Sequence, residues 1–185
     1  MREFIVKFNF SSDEALKNFF PTVSSSISAA LLISHGLRFD TKLTLFFSDQ
    51  IFLRFEPRRL RYLRPDEQST FGIVKRAILI ASRRDLPRAK ESTPGVFAGK
   101  GSFADFLKGG LKIMYYDLKG ADLRSILIPR DFKLVIGYPS LLDEDLSLLS
   151  KYGAKPVRIS VSYRNPASLI VLFNNYYDRT LLEKR

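Results

Sequence analysis

Cysteine and tryptophan are absent from this chain, and histidine occurs once. Without a thiol there is no disulfide framework, no thiolate metal site and no cysteine nucleophile. A single histidine argues against a multi-histidine metal centre and leaves His35 as the only base open to a Ser-His-Asp triad. The common cofactor and hydrolase fingerprints are missing as well: there is no GxGxxG after a strand, no P-loop, no HExxH and no GxSxG elbow. Long apolar runs are lacking too. The longest weakly polar stretch, Ser24 to Ser34, is about half of the ~20 apolar residues that a membrane helix requires. Arg2, Glu3 and Lys7 interrupt the segment where a signal peptide needs an apolar region. The expectation is a cytoplasmic protein that needs no metal and no membrane.

What is present is positive charge, unevenly spread. The 185 residues carry a formal net charge of +11 with a hydrophobic share of 45%. That length suits one domain, residues 1–185, able to bury a core unaided. Residues 1–53 balance five basic against five acidic side chains, whereas residues 54–90 hold eleven basic and four acidic. Within that segment Arg54, Arg58, Arg59, Arg61 and Arg64 alternate with Phe55 and Tyr62, and Lys75, Arg76, Arg83, Arg84, Arg88 and Lys90 follow. The guanidinium fork matches phosphate and its flat face lies on bases, so Arg58, Arg59, Arg61 and Arg64 are candidate RNA-binding residues. The competing readings are a salt-bridged, thermophile-like surface, for which local carboxylates are too few, and a membrane-surface patch, for which no basic amphipathic helix is evident.

Hydrophobic periodicity places the elements. Phe4, Val6, Phe8 and Phe10 alternate in an opening strand over 2–10. A helix starts at Ser11–Glu14 and Pro21 is expected to end it, with a short buried helix over Ile27–Ile33. Strands are expected at Leu43–Phe47 and Ile51–Phe55, and a helix capped by Ser69 or Thr70, with Asp66 and Glu67 also read as caps of its start, carries Ile73, Val74, Ala77, Ile78 and Ala81. Pro87–Gly101, rich in Pro, Gly, Ser and Lys, reads as a loop. Beyond it lie a short helix at Phe103–Leu107, strands at Lys112–Tyr116, Phe132–Ile136 and Val157–Ser160, a helix at Glu144–Tyr152 and a last helix from about Pro166. Strands separated by helices predict an α/β fold with a mostly parallel sheet flanked by helices. Ligands in such sheets sit beyond the carboxyl ends of the strands, here Tyr116-Asp117, Gly137-Tyr138 and Ser160-Val161-Ser162.

Three local features keep plainer alternatives. His35 fits a helix C-terminus interacting with the dipole. Asp143-Glu144-Asp145 is read as helix-start capping rather than a cation site. The run Leu169–Phe173 is core or a subunit interface rather than a cofactor box.

Several stretches together resemble the archaeal TrmY-type tRNA pseudouridine N1-methyltransferases of the SPOUT superfamily. They are Met1–Val6, Ser34–Asp40, Leu63–Thr70, Ser92–Val96, Val135–Gly137, Asp143–Asp145, and a segment from Gly153-Ala154-Lys155 to Asn175 and Asp178-Arg179. The resemblance implies a SPOUT-type fold with a C-terminal trefoil knot, usually in a homodimer. It also implies S-adenosylmethionine as cofactor and tRNA as partner, with methylation of the pseudouridine at position 54 of the T-loop. Carried over by position, it puts the cofactor at Tyr116, Gly137, Ile159, Ser160, Val161, Ser162 and Leu169. Asp40 becomes the first residue to test as proton acceptor or orienter, with Arg38 holding phosphate.

The chain departs from the family where it reads Gly137-Tyr138-Pro139 in place of Gly-Asp-His, and Arg164–Leu169 in place of Leu-His-Ala-Asp-His-Cys. Asn174-Asn175 stands for His-Asn, and Ser24–Ile27 for Gly-Arg-Leu-Asp. The expectation is therefore an active S-adenosylmethionine-dependent RNA methyltransferase, the alternative being a catalytically silent relative that binds RNA through the same arginines.

Overall fold

In the computed structural model the description covers residues 1–34, 36–83, 89–160 and 164–182. The period-2 pattern of the first strand, β1 (Arg2–Phe8), sorts its side chains onto two faces of an eight-stranded sheet. The order in space is β10-β8-β9-β1-β4-β5-β7-β6. Here β4 is Thr41–Phe46, β5 Ile51–Phe55, β6 Lys90–Thr93, β7 Val96–Lys100, β8 Lys112–Asp122, β9 Phe132–Tyr138 and β10 Lys155–Arg158. Strands β10, β8, β9, β1 and β4 run parallel, and β5, β7 and β6 continue the sheet by antiparallel pairing. The sheet is thus mixed, its parallel half being the expected one. A two-residue pair, β2 (Leu32–Ile33) with β3 (Gly36–Leu37), stands apart.

Phe4, Val6 and Phe8 of β1, with Leu43 and Leu45 of β4 and Leu134 and Ile136 of β9, bury on one face. That face is covered by α1 (Ser12–Lys17), α2 (Phe20–Leu31), α3 (Glu67–Ala81) and α6 (Pro166–Leu182). The opposite face, from Ile5, Phe46 and Val135, receives, among the described residues, only the short α4 (Phe103–Leu107) and α5 (Asp143–Lys151). Both sheet edges carry charge, Lys90 and Glu91 on β6 and Lys155 and Arg158 on β10, where Pro156 also lacks an N–H. Among the described residues no helix is long and apolar enough to cross a membrane.

Three expectations are corrected. Pro21 sits in the first turn of α2 rather than ending a helix, because a missing N–H costs nothing where no intrahelical partner exists. The segment read as a loop over 87–101 holds the hairpin β6–β7, whose Val96 and Ala98 are buried against α3. The cap of α3 is Asp66, one of the two acidic residues read as caps, which accepts from Ser69 N–H at 2.7 Å; Ser69 and Thr70 do not cap it. His35 and the arginines Arg84 and Arg88 lie outside the described residues.

Candidate active site

Parallel pairing brings the carboxyl ends of β8, β9 and β10 to one end of the sheet. Tyr115, level with Val135, is the last residue of β8 paired to β9, so Tyr116 and Gly137 lie just beyond that ladder on adjacent strands. The pairing of β10 to β8 jumps from Pro156–Tyr115 to Val157–Ala121, so Tyr116–Gly120 forms an excursion between the two ladders. Gly120 closes it: a Cβ there would lie 2.6 Å from Val157 N, a backbone approach only glycine permits. The Tyr116 phenol donates to the Ser160 carbonyl at 2.8 Å, tying the first strand end to the third. Burial pushes the phenol pKa up, with Asp117 acting in the same sense and Arg164 opposing, so Tyr116 is neutral near pH 7.

Gly137 is required by its own turn. A Cβ there would lie 2.4 Å from Leu141 N and 2.5 Å from Ser140 C, where the chain doubles back through a cis Tyr138–Pro139 bond. The Tyr138 ring turns away to the core face, edge-on to Phe8 and Phe10 at 6.3 Å from each. Leu169, in the first turn of α6, is fully buried under the same end of the sheet, while Ile159 packs against that cluster from the side. Val161 and Ser162 lie outside the described residues. Beside Ile159 and Ser160 opens a cleft of about 400 Å³ walled by Asp122, Arg124, Arg158, Leu172, Asn175, Tyr176 and Arg179. It joins apolar surface to guanidinium and carboxylate groups, a lining suited to a ligand with an apolar ring and a charged tail. Of its helix-borne residues, Asn175 and Arg179 lie in the segment the sequence singled out, whereas Leu172 and Tyr176 were not foreseen.

Arg38 and Asp40 are placed elsewhere. Both precede β4, at the amino end of the parallel strands, and a seven-residue strand separates the two ends by roughly 20 Å. They belong to a network around Arg2, whose side chain is 3% exposed. Arg2 donates to Asp40 Oδ2 at 2.8 Å, Asp178 Oδ1 at 2.7 Å and Asn174 Oδ1 at 2.7 Å, and Arg38 to Asp178 Oδ2 at 2.8 Å. Asp40 is thus a counter-ion for a buried arginine in this chain, and not a neighbour of Tyr116 or Gly137.

Arg58, Arg59, Arg61 and Arg64 also lie at the amino end, on the loop following β5. All four are exposed. Arg58, Arg59 and Arg61 line a polar cleft of about 520 Å³ with Glu91, Ser92, Thr93 and Pro94. Arg59 is paired with Glu91 at 2.8 Å, while Arg58, Arg61 and Arg64 make no salt bridge among the described residues. Of the acidic triplet, Asp145 is buried, accepting from Lys7 Nζ at 2.8 Å and Leu142 N–H at 3.0 Å, which is the helix-start role expected. No cluster of metal-ligating side chains occurs among the described residues.

A protein-family profile described as "Putative SAM-dependent RNA methyltransferase" matches residues 20–180. The tRNA (pseudouridine(54)-N(1))-methyltransferase of Methanocella arvoryzae is 29% identical over 164 residues, covering 85% of this chain and 83% of the relative. The protein of the same description from Methanococcus maripaludis strain C7 is 28% identical, covering 97% and 99%. Among solved structures, Archaeoglobus fulgidus Nep1 bound to S-adenosylhomocysteine aligns with a TM-score of 0.64 and 12% identity over 96% of this chain and all of that one, a likeness of fold.

Proposed function

Since this chain belongs to the family of SAM-dependent RNA methyltransferases, we propose that it methylates N1 of the pseudouridine at position 54 of tRNA, as its archaeal relatives are described to do. The observation that carries the reading is the meeting of the β8, β9 and β10 ends, pinned by the Tyr116–Ser160 bond at 2.8 Å. Tyr116, Gly137, Ile159, Ser160, Val161, Ser162 and Leu169 would hold S-adenosylmethionine there. The glycine-tight excursion and the mixed cleft fit such a group. When bound, the cofactor supplies an activated methyl group, so the chemistry calls for no metal.

The chain's own share is positioning and charge. Aligning the target nitrogen with a methyl donor supplies several kcal/mol, roughly 7–11 in favourable systems. Tyr116, neutral and donating to a carbonyl, orients backbone rather than taking the proton. Asp40 and Arg38 serve as structure within one chain, holding β1 to α6.

Arg58, Arg61 and Arg64 bind the tRNA backbone, offsetting the few kcal/mol needed to splay out the target base. They stand more than about 20 Å from the strand ends, one strand length along the sheet and three or more strands across it. The reading includes a homodimer, with the C-terminal third of each chain threaded as a trefoil knot. Val171 and Leu172, exposed on α6, support an apolar contact of this kind. The work is that of a cytoplasmic tRNA-modifying enzyme. The test is mass spectrometry of pseudouridine-containing tRNA incubated with protein and methyl-labelled cofactor. Methyl incorporation at position 54 is expected, and salt-sensitive tRNA binding with neither cofactor binding nor label on any of several tRNAs would leave a silent RNA-binding relative.

A further inference from the structure

The arginine loop holds one residue in an unusual state. Tyr62 has φ +70°, in the left-handed region that a bulky side chain rarely occupies, and it is 73% exposed. Such a conformation persists only when its surroundings fix it, and it clusters at ligand clamps. The surroundings here do fix it. Leu60 is buried in the main core before Tyr62, and Leu63 packs against the same core after it. Arg61 N–H donates to the Pro94 carbonyl at 3.4 Å, and Thr70 Oγ1 holds the Arg64 carbonyl at 3.5 Å. Beneath the loop lies Gly95, with φ +81°, where a Cβ would come within 2.4 Å of Leu60 N. Two leucines anchored in the core and a glycine turn thus hold an aromatic ring outward.

Its neighbours are Arg61 and Arg64, which make no ion pair among the described residues, and the cleft of Arg58, Arg59 and Arg61. Thr93 Oγ1, in the wall of that cleft, has no hydrogen-bond partner among the described residues. An outward ring between phosphate-binding forks is the combination that grips unpaired nucleic acid, because every base presents a face to stack. A protein partner would find little apolar area beside the ring. We propose that Tyr62 is a stacking platform for an unpaired base of the substrate RNA, with the cleft of Arg58, Arg59 and Arg61 receiving an adjoining phosphate. This deepens, and rests on, the RNA-methyltransferase reading. The stacked base is a flanking nucleotide, since Tyr62 lies at the amino end of the strands.

The absence of tryptophan makes the test direct: Tyr62→Trp introduces the only indole in the chain. Its fluorescence should be quenched by a short unpaired RNA oligonucleotide and not by the same sequence in a duplex. Tyr62→Ala and Tyr62→Gly should weaken binding of the unpaired RNA on the order of 5- to 100-fold, leaving duplex binding unchanged, while Tyr62→Phe stays near wild type. Tyr62→Gly suits the left-handed backbone, so its loss of binding cannot be laid to misfolding. Wild-type affinity in Tyr62→Ala and Tyr62→Gly, an unquenched indole, or a loss in Tyr62→Phe equal to that in Tyr62→Ala would each overturn the proposal. Methylation by the wild-type chain is read separately: intact transfer with no stacking removes only the platform, whereas neither RNA binding nor transfer removes both readings.

Discussion

Arg2 and Asn174, 172 positions apart, meet through Nη1 and Oδ1 at 2.7 Å in the interior. The same guanidinium reaches Asp40 and Asp178 and lies 4.7 Å from the centre of the Tyr177 ring. One side chain therefore ties the first strand, the approach to β4 and the last helix. Arg2→Ala is expected to cost about 2–3 kcal/mol in urea unfolding, because it leaves charged partners without their donor. Arg2→Lys should recover only part of this, since a single ammonium cannot reproduce the fork.

Tyr116→Phe removes the donor to Ser160 while keeping the ring. Loss of one such bond is worth about 1 kcal/mol. Calorimetry with S-adenosylhomocysteine should then show affinity reduced by about 3- to 10-fold. An unchanged affinity would move the cofactor away from these strand ends.

Two glycines should answer alanine in opposite ways. Gly137→Ala drives a Cβ into the backbone of Ser140 and Leu141, and is expected to cost about 3 kcal/mol or more, or to abolish soluble expression. Gly72, inside α3, faces open space. Gly72→Ala should raise stability by about 0.5–1 kcal/mol through helix propensity, read as a higher denaturant midpoint.

The loop arginines should differ in their effect on tRNA affinity. Arg61→Ala should lower the slope of log affinity against log salt by about 1, the signature of one lost phosphate contact. Arg59→Ala should do less, because Glu91 already neutralises that guanidinium at 2.8 Å. Titrations at several salt concentrations separate the two.

Acid should loosen the start of α3. The backbone N–H of Ser69, donating to Asp66, holds that carboxyl below its ordinary range, with Arg64 adding to the effect. A folded-state value below the unfolded one means the contribution is present at neutral pH and fades as pH falls through the carboxylate range. Asp66→Asn retains a capping side chain that does not titrate. The fall in Tm between pH 7 and pH 3 should therefore be shallower in this variant.

The sheet's centre was readable because Phe4, Val6 and Phe8 obey strict alternation, and α6 because Leu169, Ile170, Phe173 and Tyr177 recur at helical spacing. The hairpin β6–β7 was hidden by its composition: Ser92, Pro94, Gly95 and Gly99 outvote Val96 and Ala98 in any local pattern, and pairing with β5 decides the matter. The strand-end rule chose Tyr116, Gly137 and Ser160, and two of the three are joined by a hydrogen bond. Asp40 illustrates the opposite case. Its surroundings are set by Arg2 and Asp178, residues 38 before it and 138 beyond, a pairing no local pattern contains. Tyr62 was visible as an aromatic among arginines, but its left-handed backbone is a property of the folded loop.

The outermost strands have a bearing on self-association. Lys90 and Glu91 at one margin, and Lys155, Pro156 and Arg158 at the other, make poor templates for a further strand: the ring of Pro156 offers no N–H, and the charges resist stripping of water. Outward growth of copies by ladder extension into a continuous ribbon is thereby disfavoured. Association of copies is directed to the helical faces rather than to the margins of the sheet.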